Sequence, residues 1–195
     1  MINVAIYIYD NAEVLDFSGP FEVFTTAARI AGDVVPFNTF LVSERNKQVK
    51  ARAGYTVQAN YTFDDHPNID VLIIVGGMHD AEMDKPNVIQ WIKQQSATSC
   101  LTASVCTGAF LLAKAGVLSK MQVTTHWQDM NDLRAQFPCL DVVEDVRWVD
   151  CGEIVTSGGI SAGIDMSIHL VSKLHSVELA EKTAKQMEFS WTQNP

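Results

Sequence analysis

The chain has 195 residues, 47% hydrophobic and 19% charged, with 6 Pro and 11 Gly, which suits one compact domain spanning 1–195 with a core that needs neither disulfide nor metal. Its 14 Lys and Arg against 23 Asp and Glu give a net charge of −9; with no basic cluster, direct binding to a nucleic-acid backbone is not expected. The apolar content excludes wholesale disorder, and no apolar run approaches the roughly 18 residues of a membrane span.

In chain order, the start Met1-Ile2-Asn3-Val4 lacks a basic leader and reads as an opening strand, with Val4 to Ile8 its apolar run. Ser18-Gly19-Pro20 predicts the opening of a helix, with Ser18 as its cap and Pro20 in its first turn. Phe21, Phe24, Ala28 and Ala31 then recur at helical spacing, and Gly32 stops the run. Phe37 to Val42 and Tyr55 to Ala59 read as strands. Asp70 to Val75 is apolar on both faces, as a central parallel strand should be. Asp84 and Pro86 open a helix through about Ser99, and Leu101 to Val105 is the next strand. Gly108 to Ala115 reads as a short buried helix and His126 to Phe137 as an amphipathic one. Val142 to Val149 and Ile154 to Thr156 are predicted strands, and helices over about Ser161 to Leu174 and Val177 to Phe189 close the chain.

Strands alternating with helices imply an α/β fold, a mostly parallel sheet with helices on both faces. Ligands then sit beyond the carboxyl ends of the strands, so the turns leaving those strands are where chemistry is sought.

The turn after Val105 carries the strongest signal. Ser104-Val105-Cys106-Thr107-Gly108 has the small-x-nucleophile-x-Gly shape of a nucleophile elbow. Cys106 projects from such a turn, and the following helix N-terminus favours its thiolate, with backbone N–H groups there facing a developing oxyanion. The alternative is a buried structural thiol. Two other turns converge on the same edge. Val75-Gly76-Gly77 lets backbone approach a ligand closely, or is only a tight turn. Leu15-Asp16 places a carboxylate in an apolar setting, either as a helix-dipole partner or as a proton carrier for a substrate at Cys106.

The remaining cysteines read as reduced: Cys100 begins the strand and lies away from the turn, and Cys139 and Cys151, in less regular context, read as structural. The five histidines form no zinc spacing with them, so no metal is expected.

Five motifs in order resemble the ThiJ/PfpI superfamily: Asp16-x-x-x-Pro20, Gly76-Gly77, the cysteine elbow, Thr124-Thr125-His126-Trp127 and Thr156-Ser157-Gly158-Gly159-Ile160-Ser161-Ala162-Gly163. The resemblance runs from Met1 to about His175 and implies the class I glutamine amidotransferase-like, flavodoxin-like fold. The stretch Leu15-Asp16-x-x-Gly19-Pro20-x-Glu22-Val23-Phe24, with Cys106-Thr107-Gly108, is most similar to isonitrile hydratases and to the sensor domains of AraC-type amidase-like regulators. The segment following the match is too short for those regulators' DNA-binding domain, so none is expected. Proteases of the superfamily carry His directly after the cysteine; Thr107 stands there and argues against that triad. Glyoxalase and stress-protein relatives carry Glu where this chain has Asp16.

The resemblance implies a cofactor-free hydratase: Cys106 the nucleophile, Asp16 the acid/base, Thr107 holding the water or carboxylate through its hydroxyl. The candidate oxyanion donors are the backbone N–H groups of Gly76, Gly77 and Thr107. Phe17, His79, His126 and Trp127 are candidate pocket residues, although aromatics at such spacing also serve the core and a loop His needs no function. A cytoplasmic homodimer acting on a small molecule is the expected setting. The alternatives are a non-catalytic ligand sensor and a glyoxalase- or amidase-like stress protein whose thiol is modified.

Overall fold

The computed structural model describes residues 1–193. Its main sheet is built from β1 (Ile2–Tyr7), β2 (Phe37–Ser43), β5 (Tyr61–Thr62), β6 (Val71–Ile74), β7 (Leu101–Val105), β10 (Trp148–Asp150) and β11 (Ile154–Ser157). The strand order is β10-β11-β7-β6-β1-β2-β5, parallel throughout except for the antiparallel β10–β11 pair. This is the mostly parallel sheet that the alternation predicts, in the flavodoxin-like arrangement that the resemblance implies. Every residue of β6 and β7 is buried, because helices cover both faces. On one side α1 (Val14–Ile30), α6 (Ala162–Leu174) and α7 (Val177–Gln186) pack together. The short α2 (Asp80–Met83), α3 (Pro86–Ser96) and α4 (Gly108–Lys114) pack among themselves on the other.

The register decides where the site is. Tyr7 pairs with Ile74, Ile74 with Ser104, and Val105 with Ser157. The ends of β1, β6, β7 and β11 are therefore level, and the segments leaving all four emerge along one edge. The chain runs outward from β1 to β2 and then returns on β1's other side as β6, so the crevice opens at this switch point.

Several boundaries differ from the sequence reading. Helix α1 begins at Val14, four residues before Ser18, and Ser18 does not cap it: its hydroxyl donates to the Val14 carbonyl at 2.8 Å inside the helix. Pro20 consequently lies in the helix interior. The predicted strand over 142–149 is two pieces, β9 (Asp141–Val142) and β10, interrupted at Asp145 with φ 58°. β9 pairs with β8 (Gln122–Val123) outside the main sheet. Tyr55 to Ala59 yields β4 (Thr56–Gln58), which forms a separate hairpin with β3 (Gln48–Lys50). The segment opening at His126 begins as a 3-10 turn, Trp127–Asp129, before α5 (Met130–Gln136).

Candidate active site

Cys106 occupies the turn from β7 to α4 with φ 56°, a left-handed conformation that a side chain adopts only under constraint. The constraints are visible. Its N–H donates to the carbonyls of Ser157 and Gly158 at 3.2 and 3.3 Å, and its carbonyl accepts from the Thr125 hydroxyl at 2.8 Å. Gly76 makes room beside it: a Cβ there would stand 2.6 Å from the Thr107 nitrogen, 2.7 Å from the Cys106 Cβ and 2.8 Å from Asp16 Oδ2. Only glycine lets the turns after β6 and β7 and the start of α1 meet.

Asp16 is fully buried in the first turn of α1. Its Oδ2 accepts the Gly76 N–H and its Oδ1 the Ile160 N–H, both at 3.1 Å. Burial pushes its carboxyl up to about 7, against the lowering effect of those two donors. The Cys106 thiol, 7% exposed, is also pushed up, first by burial and then by the Asp16 charge, while the Thr107 N–H opposes the rise. This corrects the expectation of a thiolate favoured by the helix N-terminus. The seven-residue α4 does not outweigh a dry setting and an adjacent carboxylate. Near neutral pH the pair is a thiol beside a carboxyl poised to take up or release one proton.

The Thr107 side chain has a task that the sequence does not announce. Its hydroxyl accepts the Gly77 N–H at 3.0 Å and donates to the Gly77 carbonyl at 3.1 Å, tying the two turns together. The Gly76 N–H is committed to Asp16 and the Gly77 N–H to Thr107. Neither glycine therefore offers a free N–H to an oxyanion in this structure, and of the three backbone candidates the Thr107 N–H is the one turned toward the sulfur.

A cleft of about 360 Å³ opens over Cys106, with Thr107, His79, Arg52, Asp129 and Ile160 among its lining residues. His79, predicted as a rim residue, lines it and packs on Phe110 with ring centroids 4.4 Å apart. His126 also lines it. A Cβ on Gly159 would stand 2.2 Å from His126 Cδ2 and 3.2 Å from Cys106 Sγ, so a gap narrower than a methyl group separates ring from sulfur. His126 Nδ1 lies 3.2 Å from Asp129 Oδ2. Trp127 does not reach the cysteine cleft: it is 72% exposed and lines an adjoining cleft of about 700 Å³ that shares His126 and Ile160. Phe17 is a correction, because its ring is buried in the core rather than in either cleft.

The sequence reading missed Ile160, Glu13 and Arg52. Ile160 has φ 57°, exceptional for a β-branched residue, and only the Gly-Gly preceding it hinted at unusual backbone. Glu13, before α1, and Arg52, in the turn of the β3–β4 hairpin, form a 3.2 Å ion pair on the cleft wall, a long-range pairing with no local signature. Cys100, Cys139 and Cys151 are free thiols, as a reduced reading expects, but all are exposed, so Cys139 and Cys151 are not the structural groups expected. Among the described residues no cluster of three or more His, Cys, Asp or Glu has the arrangement of a metal site, and no helix is long and apolar enough to cross a membrane.

Comparison with known proteins identifies the family. The profile of the DJ-1/PfpI family matches residues 2–173. The isonitrile hydratase of Pseudomonas putida is 28% identical over 190 residues, covering 97% of this chain and 79% of that enzyme. The HTH-type transcriptional regulator CdhR of Pseudomonas aeruginosa is 25% identical over 173 residues, 89% of this chain but about half (51%) of the regulator. Among solved structures, a ThiJ/PfpI family protein from Pseudomonas syringae superposes with a TM-score of 0.86 at 24% identity, over 98% of this chain and 76% of that one.

Proposed function

The chain belongs to the DJ-1/PfpI family, and from that membership we propose that it is a hydratase of the isonitrile hydratase type, converting R–N≡C and water to an N-substituted formamide. The observation that carries the reading is the buried Asp16 carboxyl, pushed up to about 7, held by two backbone donors beside the strained Cys106 thiol. The isonitrile hydratase relative spanning 97% of the chain supplies the substrate class.

The residues supply the steps. Asp16 in its carboxylate form takes the thiol proton as Cys106 sulfur attacks the terminal isonitrile carbon. The same proton returns to that carbon, leaving a thioimidate, R–N=CH–S–Cys106. Water then adds to the thioimidate carbon, with Asp16 taking its proton and passing it to nitrogen. The hydroxyl proton of that adduct then passes through Asp16 to the departing sulfur as the C–S bond breaks, so the thiol is regenerated and the formamide R–NH–CHO leaves. Every proton is accounted for by one carboxyl and one water. A positioned acid–base group is worth on the order of 10²–10⁴-fold, which sets the expected loss in Asp16→Asn. The Thr107 N–H steadies charge on the sulfur, and the Thr107 hydroxyl keeps the turn that presents it.

A second reading, a ligand sensor, is favoured by the regulator that matches 89% of this chain. The deciding test is formamide release from cyclohexyl and aryl isonitriles by wild type, Cys106→Ala and Asp16→Asn. Turnover by wild type alone supports the hydratase. Saturable binding without turnover overturns it in favour of the sensor. Light scattering in the same preparation reads the expected homodimer.

A further inference from the structure

We propose that the Arg147–Asp165 ion pair is a positioning device for Asp16, acting through the left-handed turn at Ile160. The proposal rests on the reading of Asp16 as proton carrier and concerns two residues that touch neither sulfur nor carboxyl. Asp165 lies in the first turn of α6 and is 1% exposed. Its Oδ2 lies 2.5 Å from Arg147 Nε, an ion pair whose N–H is not aimed for a hydrogen bond, and its Oδ1 accepts the Thr192 N–H at 2.7 Å. A carboxylate taken this far out of water needs a counter-charge beside it, so the ion pair keeps the Arg147 guanidinium at the end of α6.

Arg147 then grips the Ile160 turn from both sides. Its carbonyl accepts the Gly158 N–H at 2.9 Å, and its Nη2 donates to the Ser161 hydroxyl at 3.3 Å. Between those anchors lie Gly159 and Ile160. Ile160 has φ 57°, which its branched Cβ disfavours, and it is 41% exposed, so core packing does not hold it there. Only in this conformation does its N–H meet Asp16 Oδ1 at 3.1 Å, across 144 residues of sequence. The structure thus joins α6, the residue before β10, the turn after β11 and the first turn of α1 in one series ending on the acid.

The consequence is a proton affinity set from a distance. The Ile160 donor lowers the Asp16 carboxyl against the effect of burial. Releasing the turn removes that donor and raises the pH at which Asp16 ionises. The other groups facing Asp16 are Cys106 on the β7–α4 turn, Tyr9 after β1 and Glu13 at the start of its own helix. None belongs to α6 or β10, so variants there leave those neighbours untouched.

The readout is the pH dependence of Cys106 alkylation by iodoacetamide, followed on the Cys106 peptide by mass spectrometry so that the exposed thiols do not contribute. It does not require isonitrile turnover. Wild type should show an inflection near 7 that Asp16→Asn abolishes. Arg147→Gln, Asp165→Asn and the charge-conserving Arg147→Lys should each move it upward by half a pH unit or more. Ile160→Gly placed in the Arg147→Lys background should return it toward wild type, because glycine holds a positive φ unaided. Asp150→Asn is the control. It loosens the same strand and helix by removing the contacts to Lys173 and His169, yet touches nothing in the turn, so its inflection should stay in place. If Arg147→Lys and Asp165→Asn fold and keep the wild-type inflection while Asp16→Asn loses it, the pair is structural only and the proposal is overturned alone. If Asp16→Asn keeps the inflection, the proton-carrier reading falls first and this inference with it.

Discussion

The Thr107 hydroxyl is bonded twice to the Gly77 backbone, accepting its N–H at 3.0 Å and donating to its carbonyl at 3.1 Å. Removing it leaves the Gly77 N–H without its partner and the Gly77 carbonyl with only the 3.4 Å contact to His79 Nδ1. Thr107→Val should therefore cost about 1–3 kcal/mol of stability as well as activity, while Thr107→Ser keeps both. Chemical denaturation alongside formamide assays checks this. A Thr107→Val protein with wild-type stability and no activity would mean that the hydroxyl acts on substrate instead.

With Asp16 ionising near 7 and the thiol pushed well above its ordinary value, the attack step needs the carboxylate form of Asp16. The expected pH profile of kcat/KM rises through a midpoint near 7 and levels off above it. Asp16→Asn should abolish the rise and lower the rate by on the order of 10²–10⁴-fold. A profile flat from pH 5 to 8 contradicts the assignment.

The same carboxyl affects stability with a definite sign. Its value is 3.8 unfolded and about 7 folded, so the folded state binds the extra proton between those limits. Stability from this group is complete below about 3.8, falls as pH rises through the window, and is lost above about 7. The shift corresponds to roughly 4 kcal/mol at most. Subtracting the melting temperature of Asp16→Asn from that of wild type should give a difference that declines between pH 4 and 7. A difference that does not change with pH would remove the case for a buried carboxylate.

The backbone at Cys106 stores strain that the side chain only inherits. At φ 56° a residue with a Cβ is disfavoured by about 1–2 kcal/mol, so Cys106→Gly should melt above Cys106→Ala, although both are inactive. Thermal scans of the pair decide it, and the reverse order would deny the strain.

Two glycines test the close approaches. A Cβ on Gly76 meets backbone at the Thr107 nitrogen, 2.6 Å away, whereas on Gly159 it meets the movable His126 ring, 2.2 Å from Cδ2. Gly76→Ala should lose fold stability together with activity. Gly159→Ala should remain folded, displace His126 and lower turnover of bulky isonitriles more than small ones. Circular dichroism and a substrate series separate the two effects.

What the sequence made legible follows from what is local. The Val71–Ile74 run is apolar on both faces, and the small residues around Cys106 are demanded by the turn itself, so both could be read directly. Asp16 was legible as a carboxylate in an apolar stretch, but its donors, Gly76 and Ile160, come from turns brought level by strand register. The committed N–H groups of Gly76 and Gly77 could not be foreseen for the same reason. The start of α1 was misplaced because Ser18 and Pro20 mimic a helix opening, while Glu13 occupies the N-cap with no side-chain hydrogen bond to mark it. Phe17 stands next to Asp16 in sequence, yet adjacent residues on a helix point about 100° apart, which sends its ring into the core.

The most direct measurement is acid-quenched mass spectrometry of the protein during the first turnovers with a slow aryl isonitrile. The account predicts a transient mass gain equal to the whole isonitrile, confined to the Cys106 peptide, decaying as formamide appears and absent in Cys106→Ala. Formamide formed at an undiminished rate by Cys106→Ala, with no adduct on the wild-type cysteine, would contradict it.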